Sequence, residues 1–123
     1  MSYTIKFIQK KGYLVAMVTG ENTPENILNY LAEVQKTCEK FKYCKVLIAE
    51  DLAGPTIGIF DIFSIINQAN INTPPGTLQI AYVDLNQSHD HKAMHFAETV
   101  ALNRGINIKF FDEQTQAEEW LNG

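Results

Sequence analysis

The chain of 123 residues is poor in cysteine and lacks a long apolar run. Its two cysteines, Cys38 and Cys44, match neither a CxxC redox motif nor a zinc ligand set, and a secreted disulfide scaffold would need more. We therefore expect two reduced thiols. The N-terminal residues alternate apolar and polar side chains, unlike a signal peptide. The most apolar stretch, IGIFDIFSII, is too short to span a bilayer. These absences predict a cytoplasmic protein without a transmembrane segment.

The charge pattern also lacks a basic stripe. The net charge is −4, and the ten lysine and arginine residues are scattered along the chain. Nucleic-acid binding needs clustered cations that displace counterions from phosphates, so we expect no nucleic-acid partner. The hydrophobic content of 46% is that of an ordinary globular protein. This length is typical of one domain, so residues 1–123 are expected to form a single domain.

The periodicity of the apolar residues predicts alternating strands and helices. Two N-terminal strands should form a hairpin that turns at Gly12. Thr23 should cap the first helix, with Pro24 at its first position, and Asp112 should cap the last. The continuous apolar run in KVLIAED predicts a central strand that is covered on both faces. The predicted order, β-β-α-β-α-β-α-β-α, indicates an α/β fold: a single mixed, mostly parallel sheet with an N-terminal antiparallel hairpin and about four helices.

Three segments carry a resemblance to a known family. They are VTGENTPENI, KVLIAEDLAG and KFFDEQTQAEEWL, and in this order they extend over nearly the whole chain. The chain resembles the STAS-like fold of anti-anti-sigma factors and of anion-transporter tails, and more closely the SpoIIAA-like family of small bacterial proteins. None of the three segments is a catalytic signature. The resemblance implies the STAS-like fold and partner binding on the second helix and the loop before it.

The loop before the second helix matches a regulatory motif in part. Anti-anti-sigma factors carry a phosphorylatable serine in a D-S-S/A-G type motif at this place. Here the stretch is AEDLAGPTIGIF, in which Gly58 is in the place of the motif's glycine and the serine is not reproduced. Thr56 is the nearby hydroxyl, and the resemblance makes it the phosphoacceptor candidate. Its position after Pro55 also suits an ordinary helix N-cap.

The predicted second helix, residues 57–68, is more apolar than a surface helix needs to be. Its polar residues form one narrow stripe, and the apolar arc extends over roughly 220°, whereas a surface helix needs little more than 100°. Four residues are predicted to contact a partner or ligand: Ile59, Ile62, Phe63 and Ile66. The alternatives are a helix packed between the sheet and a neighbouring helix, a homodimer interface, or the wall of an apolar ligand pocket.

Two clusters of polar residues are candidates for a catalytic or metal site. His91 and His95 have helical i, i+4 spacing and, with His89, suit a metal site, but the spacing provides no certain third ligand. Glu50 and Asp51 end the central strand, where ligands of α/β sheets gather, yet adjacent residues point to opposite faces. We expect these two carboxylates to be solvated charges. No catalytic residue, metal or cofactor is therefore predicted.

The sequence thus predicts a non-catalytic regulatory or binding domain that contacts a protein partner, or a second copy, through residues 57–68 and the preceding loop. The first alternative is a carrier of a small apolar ligand or lipid between helix 57–68 and the sheet. The second is a metal-dependent enzyme that uses the cluster of His89, His91 and His95.

Overall fold

A computed structural model describes residues 3–54, 78–86, 91–103 and 106–123, with the side chains of His91 and Ala93 excepted. These residues form five strands and three helices. In chain order they are β1 (Tyr3–Gln9), β2 (Leu14–Glu21), α1 (Pro24–Phe41), β3 (Lys45–Ala53), β4 (Gln79–Asp84), α2 (His91–Asn103), β5 (Asn107–Phe111) and α3 (Gln114–Asn122). The predicted helix over residues 57–68 lies outside the described residues.

The strands form one sheet in the order β1-β2-β3-β4-β5. β1 pairs antiparallel with β2, and each later strand pairs parallel with its predecessor. The hairpin turns at Gly12, whose φ of 91° lies in the left-handed region that favours glycine. The Lys10 N–H donates to the Tyr13 carbonyl across this turn at 3.0 Å. The predicted α/β class and the mixed sheet with its N-terminal hairpin are confirmed.

Local capping signals set both ends of α1. At the start, the Thr23 hydroxyl accepts a hydrogen bond from the Asn26 N–H at 3.2 Å, and Pro24 occupies the first turn, as predicted. At the end, Lys42 adopts the left-handed conformation with φ 61° and ψ 44°. The next residue, Tyr43, donates its N–H to the Cys38 carbonyl at 2.9 Å. Together with the Lys42 N–H, which donates to the Glu39 carbonyl at 3.4 Å, this bond forms a Schellman motif, which ends the helix and reverses the chain.

The core has two layers because the sheet is covered on both faces. Alternate residues of β3 pack into the two layers, and Val46 to Glu50 are all buried. Tyr30 of α1 and Ala97 of α2 belong to the layer on the first face. Ala117 and Leu121 of α3 belong to the layer on the second. The prediction of a central strand covered on both faces is confirmed.

The last helix starts one residue later than predicted. Its N-cap is Glu113, whose extended backbone precedes the first helical residue and whose side chain makes no capping hydrogen bond. The Glu113 carbonyl accepts the N–H of Ala117 at 3.3 Å, so the helical bonding begins there and not at Asp112. The prediction of Asp112 as the cap is therefore wrong. Within the described ranges, no helix combines the length and apolarity needed to cross a bilayer.

Candidate functional site

The end of β3 is held by hydrogen bonds from both neighbouring connections. The Asn22 N–H, after β2, donates to the Ala53 carbonyl at 2.7 Å. On the other side, the Asn86 side-chain amide donates to the Leu52 carbonyl at 2.8 Å. Asn86 is itself oriented by Asp84, whose carboxylate accepts the Asn86 N–H at 3.0 Å. The last residues of β3 therefore have a defined position at the carboxyl edge, where open α/β sheets bind their ligands.

A carboxylate lies fully buried beneath this edge. The Glu50 side chain has no exposed surface and belongs to β3. The hydroxyls of Tyr30, on α1, and Tyr82, on β4, both donate to its Oε2 atom. The two hydroxyl oxygens are 2.9 Å apart. Three elements thus converge on one carboxylate oxygen, which joins α1 to the two central strands.

The electrostatics keep both tyrosines as hydrogen-bond donors. Burial, followed by the nearby charge of Glu50, raises the pKa of Tyr30 and of Tyr82 well above the usual value. Both hydroxyls therefore stay protonated over the physiological range. Because an unpaired buried carboxylate would cost several kcal/mol, these donors are what makes the burial of Glu50 tolerable. The cluster stabilises the fold at this edge and offers no carboxylate surface to a substrate.

The prediction that Glu50 and Asp51 are both solvated charges is half right. Asp51 is exposed, and the two side chains point to opposite faces. For Glu50 the prediction is wrong, because its face of β3 is covered by Tyr30 and Tyr82, which lie 20 and 32 residues away in the chain. One signal was available in the sequence: Glu50 shares the alternation of Val46 and Ile48 and so points into the same layer.

Asn26 was not singled out by the sequence analysis either. It lies in the first turn of α1 with 1% of its surface exposed. Its side-chain amide donates to the Glu21 carbonyl at 2.9 Å and ties the end of β2 to the helix start. Among the described residues, its Oδ1 atom has no hydrogen-bond donor. In the sequence, a polar residue close to a predicted N-cap is the signal for such a side-chain hydrogen bond to the backbone.

The predicted contact residues follow β3 in the chain. Thr56, Ile59, Ile62, Phe63 and Ile66 are outside the described residues, and so is Gly58. The described chain ends before them at Gly54, whose φ of 115° requires glycine. A Cβ atom there would lie 3.9 Å from the Asn22 Cβ, so this glycine leaves β3 beside the connection between β2 and α1. The carrier hypothesis depends on the same segment and lies equally outside the described part.

A small cleft opens at the carboxyl ends of β4 and β5. It has about 40 Å³ of interior space, which suits a few water molecules and is far below the size of a drug-like ligand site. Its walls are Asp84, Met94, His95, Phe110, Phe111 and Asp112. The cleft therefore gives no support to a carrier function at this place.

His95 is the member of the predicted histidine cluster whose side chain the structure describes. His95 lies on α2 with 70% of its side chain exposed, and its Nδ1 atom is 3.9 Å from Glu98 Oε2. His89 and the side chain of His91 lie outside the described residues. In the rest of the chain, as far as it is described, no three histidine, cysteine or acidic side chains are grouped so that they could hold a metal ion.

The fold brings together charged residues that are scattered in the sequence. Acidic side chains lie where strands end at the carboxyl edge; these are Glu21, Asp51, Asp84 and Asp112. Lysines lie at the opposite, amino edge, in the β1–β2 turn and around the start of β3; these are Lys10, Lys11, Lys42 and Lys45. Glu21, Asp51 and Asp112 are exposed there and Asp84 is buried, so the carboxyl edge presents three exposed carboxylates.

Comparisons with known proteins identify the fold. No protein-family model matches the chain, and no curated protein is similar to it in sequence. Among solved structures, it is similar to an anti-sigma factor antagonist from Mycobacterium paratuberculosis, with a TM-score of 0.62 and 13% sequence identity. The match covers 99% of this chain and 96% of that one. The STAS-like fold is thus confirmed, while membership of the SpoIIAA-like family stays a prediction.

Proposed function

We propose that this chain is a non-catalytic regulatory protein that binds a protein partner at the carboxyl edge of its sheet, through residues 57–68 and the loop before them. The observation that carries this proposal is the anchored end of β3. Hydrogen bonds from both neighbouring connections and the buried Glu50 fix the point from which the chain enters that segment. A contact surface that starts from a fixed point loses less conformational entropy on binding.

The fold suggests the class of partner. A protein with the same fold is an anti-sigma factor antagonist, so an anti-sigma factor is the partner to test first. The apolar residues Ile59, Ile62, Phe63 and Ile66 are the proposed centre of the contact. The acidic carboxyl edge is its proposed rim, which favours a partner with basic residues around an apolar patch. Association with such a partner should slow as ionic strength rises.

The chemistry of the edge supports a binding function over a catalytic one. Glu50 is completely buried, and its Oε2 atom already accepts two tyrosine hydroxyls. Asp51 is exposed on the other side of the strand, so the two carboxylates do not converge on one reacting atom.

Single aspartate substitutions in the apolar segment test the proposed contact. At a contact position such as Ile59, Ile62 or Ile66, aspartate should weaken binding to an anti-sigma factor, or self-association in sedimentation velocity, while the melting temperature stays nearly unchanged. At a core position it would bury an unpaired charge and unfold the protein. Ser64→Asp, on the polar stripe of the same segment, is the matched control and should change neither property. Unfolding by aspartate at every apolar position would refute the contact.

Thr56 is the proposed phosphoacceptor, and it can be tested separately. Thr56→Glu should leave the isolated protein as stable as before, or slightly more stable, because an acidic group suits a helix N-terminus. It should weaken the partner contact, because the added carboxylate must lose its hydration beside the apolar centre of the contact. Thr56→Ser retains the hydroxyl and is the control that should bind normally. Equal binding by the glutamate and serine variants would contradict a regulatory role for Thr56.

A further inference from the structure

The Schellman motif at the end of α1 brings the two cysteines to one place. Cys38 lies in the last turn of the helix, and its carbonyl accepts the Tyr43 N–H after the chain reverses at Lys42. Cys44 follows Tyr43 directly and is fixed by its own carbonyl, which accepts the Gln79 N–H at 2.8 Å. The helix end and the start of β3 are therefore held side by side at the amino edge of the sheet.

Both cysteines line one cleft between the helix end and the sheet. The cleft has a volume of about 200 Å³, larger than the ~150 Å³ engineered cavity that holds benzene. Its other walls are Gln35, Glu39, Lys42, Tyr43 and Leu78. Both thiols are free, and their exposure differs: Cys44 is exposed and Cys38 is buried, with 3% of its surface accessible. An accessible thiol thus lies in the same cleft as a shielded one.

We propose that Cys44 and Cys38 form a thiol–disulfide exchange pair, in which Cys44 captures a small-molecule disulfide such as glutathione disulfide and Cys38 resolves the adduct. The cleft, whose accessible lining is mostly apolar, gives the disulfide access to the exposed Cys44 and borders the buried Cys38. This pair lies at the edge opposite to the proposed partner contact, so it is independent of the proposed function.

The exchange takes place in two balanced steps. First, the Cys44 thiolate attacks one sulfur of glutathione disulfide; the Cys44–glutathione bond forms, the original S–S bond breaks, and one glutathione thiolate leaves and takes up a proton. Next, Cys38 loses its proton and attacks the Cys44 sulfur, which releases the second glutathione. Two protein thiols are oxidised by two electrons in total, and one glutathione disulfide is reduced to two glutathione molecules.

The surroundings of Cys38 make the second step the slower one. Burial, then the charges of Cys44 and Glu39, raise the pKa of the Cys38 thiol to about 11. Because the thiolate is the nucleophile, the resolving step should accelerate about tenfold for each pH unit between neutral pH and that value. Near neutral pH the mixed disulfide should therefore accumulate before the intramolecular bond forms.

Intact-mass spectrometry of the folded, fully reduced chain with glutathione disulfide tests the proposal. The wild type should first gain one glutathione and then lose it, ending two hydrogen atoms lighter than the reduced chain. Cys38→Ala should stop at the adduct, and Cys44→Ser should form neither product. The time course at two pH values one unit apart should show the tenfold change in the second step.

Two results would overturn the pair. In one, the wild type stops at the glutathione adduct, as Cys38→Ala does; this result would show that the two cysteine sulfurs do not meet in the folded chain. In the other, Cys44→Ser reacts with glutathione disulfide as fast as the wild type. Far-UV circular dichroism of each sample confirms that it is folded, and a urea-unfolded wild-type sample shows the rates without the cleft. The wild-type mass decides the question even if a variant fails to fold.

Discussion

Removing one tyrosine hydroxyl from the Glu50 cluster should measurably destabilise the fold. In Tyr30→Phe, the ring stays in the core, but Glu50 loses one of the two hydroxyls that donate to its Oε2 atom. A hydrogen bond to a charged group contributes about 1.5–3 kcal/mol, and both partners are fully buried, so we expect a loss of ~2.5 kcal/mol in the free energy of unfolding. For a chain of 123 residues, this corresponds to a fall of about 10 °C in the melting temperature.

Urea unfolding followed by far-UV circular dichroism measures this loss directly. The matched control is Tyr3→Phe, because the Tyr3 hydroxyl donates to Glu33 at 3.0 Å on the exposed side of α1. The control should change the stability by less than about 0.5 kcal/mol. If Tyr30→Phe is as stable as Tyr3→Phe, with the same dependence on urea, the Glu50 cluster does not stabilise the protein and the argument fails.

Two further predictions concern stability. Lys42→Gly should raise the free energy of unfolding by about 1 kcal/mol, because the left-handed φ of 61° is strained for lysine and free for glycine. The control, Lys36→Gly inside α1, should lower the free energy of unfolding by a similar amount. Thermal melts measured in parallel compare the two variants, and a destabilised Lys42→Gly would contradict the prediction. Stability should also fall in alkali. The pKa values of Tyr30 and Tyr82 are raised in the folded protein, so both tyrosines ionise first in the unfolded chain. Their contribution to stability is therefore complete below about pH 10. Above that pH it should fall by up to about 1.4 kcal/mol per pH unit for each tyrosine. The pKa of Cys38 is raised from 9.0 to about 11, so its contribution to stability is lost between these pH values. Urea melts over a pH series measure the fall in the free energy of unfolding. The fall with pH should be shallower for the double variant Tyr30→Phe/Tyr82→Phe than for the wild type, and equal slopes would contradict the role of the tyrosines.

Several elements could be predicted because their causes are local. Thr23 and Pro24 define the start of α1 through a side-chain cap and a fixed φ, both of which depend on a few neighbouring residues. Gly12 marks the hairpin turn for the same reason. The continuous apolar run at the start of β3 indicated a strand between two packed layers. These signals, combined with the handedness of parallel connections, were sufficient for the order of the described elements and for the α/β class.

The candidate site depends on contacts between distant parts of the chain. Glu50 and Asp51 are adjacent carboxylates, and the alternation along β3 puts them on opposite faces without showing which face is still covered near the end of the strand. The difference arises because Tyr30 and Tyr82 arrive from α1 and β4 to cover one face of β3. Likewise, Glu21, Asp51 and Asp112 are far apart in the sequence, and they lie at one edge because the parallel strands that end near them run in the same direction.

By itself, the sequence determined the strands, the first helix and its Thr23 cap, since hydrogen bonding within a turn and the alternation of apolar residues act over a few positions. The tertiary structure alone decided that Glu50 is a buried, tyrosine-bonded carboxylate, and that the reversal at Lys42 places Cys38 and Cys44 in one cleft. Both results depend on how α1 packs against the sheet. That packing is fixed by the burial of apolar surface over the whole core, and no short stretch of sequence contains it.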